Sequence, residues 1–296
     1  MSGERVAIVG AGLMGHGLAQ VFAHAGHDVA ITDADPDRLT TVRERIAGNL
    51  AELGLDPAAA ERVQTHEALP AAVGSADVVI EAVSENLELK QAVFAQLEAH
   101  CRSDALLATN TSVIPVTSIG EGLSSAERML GTHWWNPPYL IGLVEVVQAP
   151  RTAPDTVTRM MDLLTRVGKE PVHVRRDVPG FVGNRLQHAL WREAIAIVAA
   201  GICDAETVDV VVRSGFGKRL AVMGPMENAD LVGLDLTLAI HEQVLPDLDR
   251  TPGPAPRLRE LVARGDLGMK TGQGFQSWPA GAADEARQRL TRHLSA

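Results

Sequence analysis

Short apolar runs recur through the first 178 residues and alternate with stretches whose apolar positions repeat at helical spacing. The runs predict strands at Arg5–Val9, Asp28–Thr32, Val63–Thr65, Asp77–Glu81, Ala105–Thr109, Met129–Trp134, Val144–Gln148 and Pro171–Arg175. The intervening patterns predict helices over 13–25, 36–53, 86–100 and 154–167. Strands alternating with helices predict an α/β, doubly wound, mostly parallel sheet. The last strands are joined by short connections, so some antiparallel pairing is expected there. At Asp177-Val178-Pro179-Gly180 the pattern changes, and strand signals disappear. Helical periodicity follows over 181–200, 204–213, 227–246 and 255–264. The chain therefore divides into an α/β domain, 1–178, and an all-α C-terminal domain, 179–296. The second domain is rich in Ala, Val and Leu that need burial, so a homodimer formed through its helices is expected.

The turn between the first strand and the first helix reads Gly10-Ala11-Gly12-Leu13-Met14-Gly15. Strand, G-x-G-x-x-G, helix, strand and acid, in that order, form the dinucleotide-binding fingerprint of a Rossmann-type sheet. Gly10 permits the tight turn, Gly12 lets backbone approach a pyrophosphate, and Gly15 allows close packing of helix on strand. Leu13 and Met14 begin the helix, whose N-terminus offers N–H groups and partial positive charge to phosphates. Asp33 ends the second strand at the spacing of a ribose-binding acid. Its carboxylate accepts hydrogen bonds from ribose hydroxyls and repels a 2′-phosphate, so the expected cofactor is NAD rather than NADP. Arg38 is the nearby residue able to reverse that preference, though an exposed helix arginine is the plainer reading. A purely structural Gly-rich turn is the alternative for the whole motif.

Composition narrows the partners. The chain is 46% apolar and 22% charged, as in globular proteins, with a formal net charge of −10. That charge disfavours nucleic acid and anionic membranes as partners and points to a small-molecule substrate. Cys101 and Cys203 suggest neither a disulfide framework nor a zinc site, and a reducing cytoplasm fits them. No signal peptide or membrane span is expected. The histidines lack metal-ligand spacing, so no metal is expected.

The polar residues at strand ends carry the candidate chemistry. His133 ends the sixth predicted strand, and Pro137-Pro138 force a turn before Leu143-Val144-Glu145-Val146-Val147. If the turn centres on Tyr139, His133 and Glu145 face each other across a hairpin. A carboxylate there holds one imidazole tautomer and stabilises the imidazolium, which suits a general base. Asn110-Thr111-Ser112 follows the fifth strand, where Ser112 can meet a substrate oxygen or simply cap a turn. Asn184 lies on the first helix after the boundary and can polarise a carbonyl, or stay at the helix surface. Glu81, Glu85, Asn86 and Lys90 follow the fourth strand and either meet a nicotinamide ribose or cap the next helix.

Taken together, the segments Gly10–Gly17, Glu81–Asn86, Asn110–Ser112, His133–Val147, Asp177–Arg185, Gly224-Pro225, Gly233–Asp235 and Lys270–Phe275 resemble the 3-hydroxyacyl-CoA dehydrogenase family over nearly the whole chain. The resemblance implies NAD-dependent oxidation of an L-3-hydroxyacyl thioester, a reaction of fatty-acid metabolism, and a dimerising helical domain. It implies His133 as catalytic base with Glu145 as its partner. Ser112 and Asn184 are implied at the catalytic centre and in substrate binding, with Asn136 also on the substrate. Gly10, Gly12, Leu13, Met14, Gly15, Asp33, Glu85, Lys90 and Asn110 are implied on the cofactor. Two stretches depart from the usual pattern: Gly142 stands where members usually carry lysine, and residues 215–225 lengthen a Gly-rich segment. Both departures resemble branches acting on small free acids, among them the vitamin B6-degrading 5-formyl-3-hydroxy-2-methylpyridine 4-carboxylate dehydrogenases. A dehydrogenase of a small non-CoA hydroxy acid or aldehyde (a pyridine carboxylate, L-gulonate or carnitine) is therefore the second reading. A non-catalytic NAD(H)-binding sensor or structural protein is the third.

Overall fold

The computed structural model describes residues 3–295 of the 296-residue chain. Contacts divide the chain into two compact units, Met1–Arg185 with His293–Ala296, and Leu186–Arg292. The first unit holds one eight-stranded sheet. Its strands are β1 (Val6–Val9), β2 (Val29–Thr32), β3 (Val63–His66), β4 (Val78–Glu81), β5 (Leu106–Thr109), β6 (Met129–Trp134), β7 (Leu143–Val147) and β8 (Glu170–Val174). They lie side by side in the order β3-β2-β1-β4-β5-β6-β7-β8. The helices of this unit are α1 (Leu13–His24), α2 (Pro36–Glu52), α3 (Leu69–Val73), α4 (Leu87–His100), α5 (Val116–Ile119) and α6 (Pro154–Arg166).

Strands buried on both faces explain why the sequence reads as apolar runs rather than alternation. Val6 and Ile8 of β1 face a core completed by α1, α2 and α6, while Ala7 and Val9 face one completed by α3, α4 and α5. The chain leaves β1 toward β2 on one side and returns to β4 on the other, which opens a crevice at the carboxyl ends of β1 and β4. The expected antiparallel pairing is confined to the β6–β7 hairpin. β8 runs parallel to β7, since α6 provides a crossover between them. Within the hairpin His133 pairs with Glu145 and Thr132 with Val146. Gly131 lets this part of the sheet close. A Cβ there would lie 2.8 Å from Val116 Cγ2 and 3.1 Å from Val147 Cβ.

The first unit runs past the Pro-Gly signal for a physical reason. Phe181 is buried in the same core as α4 and α5. Beyond it, the Val182 and Gly183 amides bond to Glu145, and Asn184 bonds to Ser112. A helix, α7 (Gly183–Ala199), starts here and carries the chain into the second unit.

That unit is helical: α8 (Ala205–Ser214), α9 (Gly217–Leu220), α10 (Pro225–Val232), α11 (Leu234–Val244), α12 (Pro256–Ala263) and α13 (Ala282–Leu294), the last of which extends beyond its end. The single helix expected over 227–246 is two. Gly233 separates them with φ of +102°, a backbone conformation that favours glycine and ends α10. No residue of α8, α9, α10 or α11 is buried.

Gly131→Ala should cost about 1–3 kcal/mol of stability through overpacking. A urea denaturation midpoint shifted to lower concentration, with unchanged slope, is the expected result. An unshifted midpoint would show that β6 and its neighbours adjust freely.

Candidate functional site

The β1–α1 turn shows why its glycines are needed. Gly10 has φ of +107°, and a Cβ on it would stand 2.7 Å from the Ala82 carbonyl oxygen, so the backbone just after β4 blocks any side chain there. A Cβ at Gly15 would sit 1.7 Å from the Gly10 carbonyl oxygen, so helix and turn meet at van der Waals limit. Around Gly12 the space is different: the nearest atom to its Cβ position is Arg38 Nη1 at 3.7 Å. Gly12 caps α1 without a side-chain hydrogen bond, which leaves the helix N-terminus open to an anionic group. A cavity of about 1070 Å³ lies in front of it, lined by Gly10, Gly12, Leu13, Met14 and Asp33 among others.

Asp33 is fixed at the rim. Its Oδ2 accepts from the Ala11 amide at 2.6 Å and its Oδ1 from the Asp35 amide at 2.8 Å. Arg38 Nη1 lies 3.7 Å from the carboxylate but is half exposed, so it screens Asp33 only weakly. Arg45 was not singled out by sequence. Its Nη2 donates to the Ala11 and Gly12 carbonyls at 3.0 and 3.1 Å and braces the Gly-rich turn from α2. An open helix N-terminus, a glycine with room before it and a fixed acid at strand end together fit a pyrophosphate and an adenosine ribose.

Beyond β4 a buried charge network shapes the next part of the edge. Lys90 and Glu81 are both fully buried, with Nζ donating to Oε1 at 2.7 Å. Glu81 also accepts from the Val83 amide and from the Thr109 hydroxyl, each at 2.7 Å. The lysine is fully buried, held by Glu81 beneath the loop that carries Glu85. Glu85, 3.5 Å from Lys90 Nζ, accepts from the Thr111 hydroxyl and from the Ser112 and Val113 amides. Burial works to raise the Glu85 pKa, but the Thr111, Val113 and Ser112 hydrogen bonds and the Lys90 charge hold it below its usual range. Glu85 thus ties the loop after β4 to the loop carrying Ser112. Asn86 caps α4 by accepting from the Leu89 amide. Asn110 accepts from the Trp134 amide at 3.1 Å and links β5 to β6.

At the far end of the same edge, His133 Nδ1 lies 2.7 Å from Glu145 Oε2, with both side chains buried. A carboxylate accepts only, so Nδ1 carries a proton, and it is Nε2 that holds the lone pair whenever the ring is neutral. The other Glu145 oxygen accepts from the Val182 and Gly183 amides at 2.9 and 3.0 Å. Burial pushes the Glu145 pKa up, yet the hydrogen bonds from His133, Gly183 and Val182 prevail and lower it, so Glu145 is an anion at neutral pH. The Trp135 and Phe181 rings both lie against the imidazole, tilted to it, at centroid distances of 5.1 and 5.7 Å. Phe181 has φ of +49°, a left-handed conformation that costs a side chain about 1–3 kcal/mol. Its burial against His133 and the two amides delivered to Glu145 hold it there. Neither aromatic partner was legible in the sequence, because nothing in the local pattern reports which rings meet in space.

Asn184 donates from Nδ2 to the Ser112 carbonyl at 2.9 Å and is nine-tenths buried. It thereby sets the Ser112 loop, whose hydroxyl makes no hydrogen bond among the described residues. Asn136 is exposed at the start of the hairpin turn. Among the described residues no three His, Cys, Asp or Glu are grouped to hold a metal ion.

This fold and this edge define an NAD-dependent dehydrogenase. Residues 5–178 match the NAD-binding domain of 3-hydroxyacyl-CoA dehydrogenase, and residues 180–278 match its C-terminal domain. The chain belongs to the 3-hydroxyacyl-CoA dehydrogenase family. It is 37% identical over 279 residues to a 5-formyl-3-hydroxy-2-methylpyridine 4-carboxylate 5-dehydrogenase of Mesorhizobium japonicum, covering 92% of this chain and 90% of the relative. A crystal structure of an enzyme of that name, described as an NAD+-dependent dismutase, is 35% identical. It superposes with a TM-score of 0.92, covering 100% of this chain and 97% of the other. The (S)-3-hydroxybutyryl-CoA dehydrogenase PaaH1 from Ralstonia eutropha is 32% identical, covering 93% and 99% of the two chains, with a TM-score of 0.76.

Asp33→Ala should weaken NADH binding about tenfold, the loss of charged hydrogen bonds to a ribose, and narrow the preference over NADPH. Fluorescence titration with both nucleotides measures it, and an unchanged NADH affinity would remove Asp33 from the site.

Proposed function

We propose that the protein oxidises the hydroxyl of an L-3-hydroxyacyl-CoA or a related 3-hydroxy acid, with His133 as general base and Glu145 as its partner. The observation that carries this reading is the 2.7 Å His133–Glu145 contact at the carboxyl edge of the sheet that also carries the dinucleotide turn. His133 Nε2 takes the hydroxyl proton. Glu145 stabilises the imidazolium that forms, and the Trp135 and Phe181 rings keep the imidazole plane in place. Ser112 hydrogen-bonds the substrate oxygen from a loop set by Asn184 and Glu85, and Asn136 positions the substrate from the hairpin turn. The bound nicotinamide supplies the hydride acceptor. Gly10, Gly12, Leu13, Met14 and Gly15 seat the pyrophosphate, Asp33 the ribose, and Glu85 and Asn110 the nicotinamide side, with Lys90 supporting Glu85. Orienting the reacting carbon in this way contributes several kcal/mol, on the order of the gains measured for well-placed reactants.

Two observations favour a substrate without coenzyme A: Gly142 in place of the usual lysine, and the 0.92 TM-score to the pyridine-carboxylate enzyme. On this second reading the substrate is a small hydroxy acid, or an aldehyde toward which His133 activates water. A non-catalytic NAD(H) sensor has no use for an oriented base. Cys101 and Cys203 are both free, and no helix among the described residues is long and apolar enough to cross a membrane.

His133→Ala should lower turnover about a thousandfold, within the range for loss of a general base, while NADH affinity stays near wild type. The assay follows NADH formation on 3-hydroxyacyl-CoAs, free 3-hydroxy acids and the formyl-pyridine carboxylate. Surviving turnover would overturn the base assignment, and the panel separates thioester from free-acid readings.

The helical unit also supports a homodimer. Ile202, Val222, Met226, Leu231, Leu234 and Leu238 are all exposed in it, a larger apolar display than monomers usually keep. Sedimentation at micromolar concentration should give the mass of two chains, and a monomer there would refute the pairing.

A further inference from the structure

Lys169 is a charged group that neither cofactor binding nor proton transfer uses. It sits between α6 and β8, and its ammonium turns inward rather than to solvent. Nζ donates to the Pro138 carbonyl at 2.6 Å and to the Ile141 carbonyl at 3.0 Å. It also lies 5.7 Å from the centroid of the Trp134 ring. Among the described residues it has no ion-pair partner, and burial without a counter-charge pulls its pKa down to about 8. A half-buried ammonium without a carboxylate is costly unless its donors are used, and here two of the three converge on one segment.

That segment is the turn 136–142, which joins β6 to β7 and begins with Asn136. Within it the Leu140 and Ile141 amides both donate to the Pro137 carbonyl, at 3.1 and 3.0 Å. The Pro138 and Ile141 carbonyls find their partner in Lys169. The next residue, Glu170, anchors the end of the turn by donating its amide to the Gly142 carbonyl at 2.9 Å. On its other side the turn rests against α1, the cofactor helix. A Cβ at Gly17 would come within 2.6 Å of Pro138 Cγ and 3.4 Å of Tyr139 Cδ1. Space for the turn is therefore cut out of α1 by Gly17, and Lys169 closes it from the β8 side.

We propose that Lys169 is a positioning residue for the substrate: through the Pro138 and Ile141 carbonyls it holds the 136–142 turn, so that Trp135 and Asn136 keep a fixed placement relative to His133. Lys169 does not touch the reacting atoms. Its effect reaches substrate through the turn, and the cofactor turn at Gly10–Gly15 is untouched by it. The kinetic consequence rests on the dehydrogenase reading above, whereas the hold on the turn does not.

The test is Lys169→Met, with Lys169→Gln as a milder variant should the first fail to fold. Hydrogen–deuterium exchange of the full-length protein should show the amides of 139–142 exchanging about tenfold faster, with β1 to β5 unchanged. On whichever panel substrate the wild type turns over, KM should rise about tenfold, with kcat within about threefold and NADH affinity unchanged. Wild-type exchange in the turn would overturn the proposal. A loosened turn with unchanged KM would overturn the positioning role. If the wild type turns over nothing on the panel, the exchange difference still supports the hold on the turn, and it is the proposed substrate that fails.

Discussion

The Glu145 carboxylate is the point on which the site depends. It is buried, and an ionised carboxylate out of water is stable only when its lone pairs are filled by well-placed donors. One oxygen takes the imidazole of His133, and the other takes two amides at the start of α7. His133, strands β6 and β7 and the first turn of the following helix are therefore locked to one charge. Several local oddities follow from that lock. Phe181 accepts a left-handed backbone so that the next two amides can converge on Glu145. Gly183 must lack a side chain, since a Cβ there would stand 2.4 Å from Trp135 Cζ2 and 3.3 Å from Glu145 Oε2.

A second buried charge pair does similar work at the middle of the sheet edge. Lys90 and Glu81 neutralise each other beneath the loops, and Glu85 above them gathers the Thr111 hydroxyl and two amides. Removing one partner of such a pair leaves an uncompensated charge, which costs about 3–5 kcal/mol. The loops after β4 and β5 are thus preorganised. A rigid loop presenting Ser112 has less ordering entropy to lose when substrate and cofactor arrive.

The hairpin turn supplies the third support. It is wedged between Gly17 of α1 and Lys169, so the helix that seats the pyrophosphate and the turn that carries Asn136 share a boundary. Gly142, at the end of this turn, has open space around its Cβ position.

The amino-acid sequence by itself determined the strands, most helices, the dinucleotide turn and the pairing of His133 with Glu145. The reason is that these depend on short-range pattern: apolar runs for strands buried on both faces, three glycines at fixed spacing, and a hairpin centred on Tyr139. Local pattern failed where elements are too short to show a period, as in α3, α5 and α9, or too polar, as in α13, which buries no residue. It also joined α10 to α11, because helical periodicity does not show the positive φ at Gly233. Only the tertiary structure decided what long-range packing decides. It buried Lys90 beneath Glu85 instead of exposing it, set Phe181 and Trp135 beside the imidazole, turned the Asn184 amide onto Ser112, and brought Lys169 to the hairpin. Each of these joins residues distant in sequence whose meeting is fixed by strand order and burial, and no spacing along the chain encodes it.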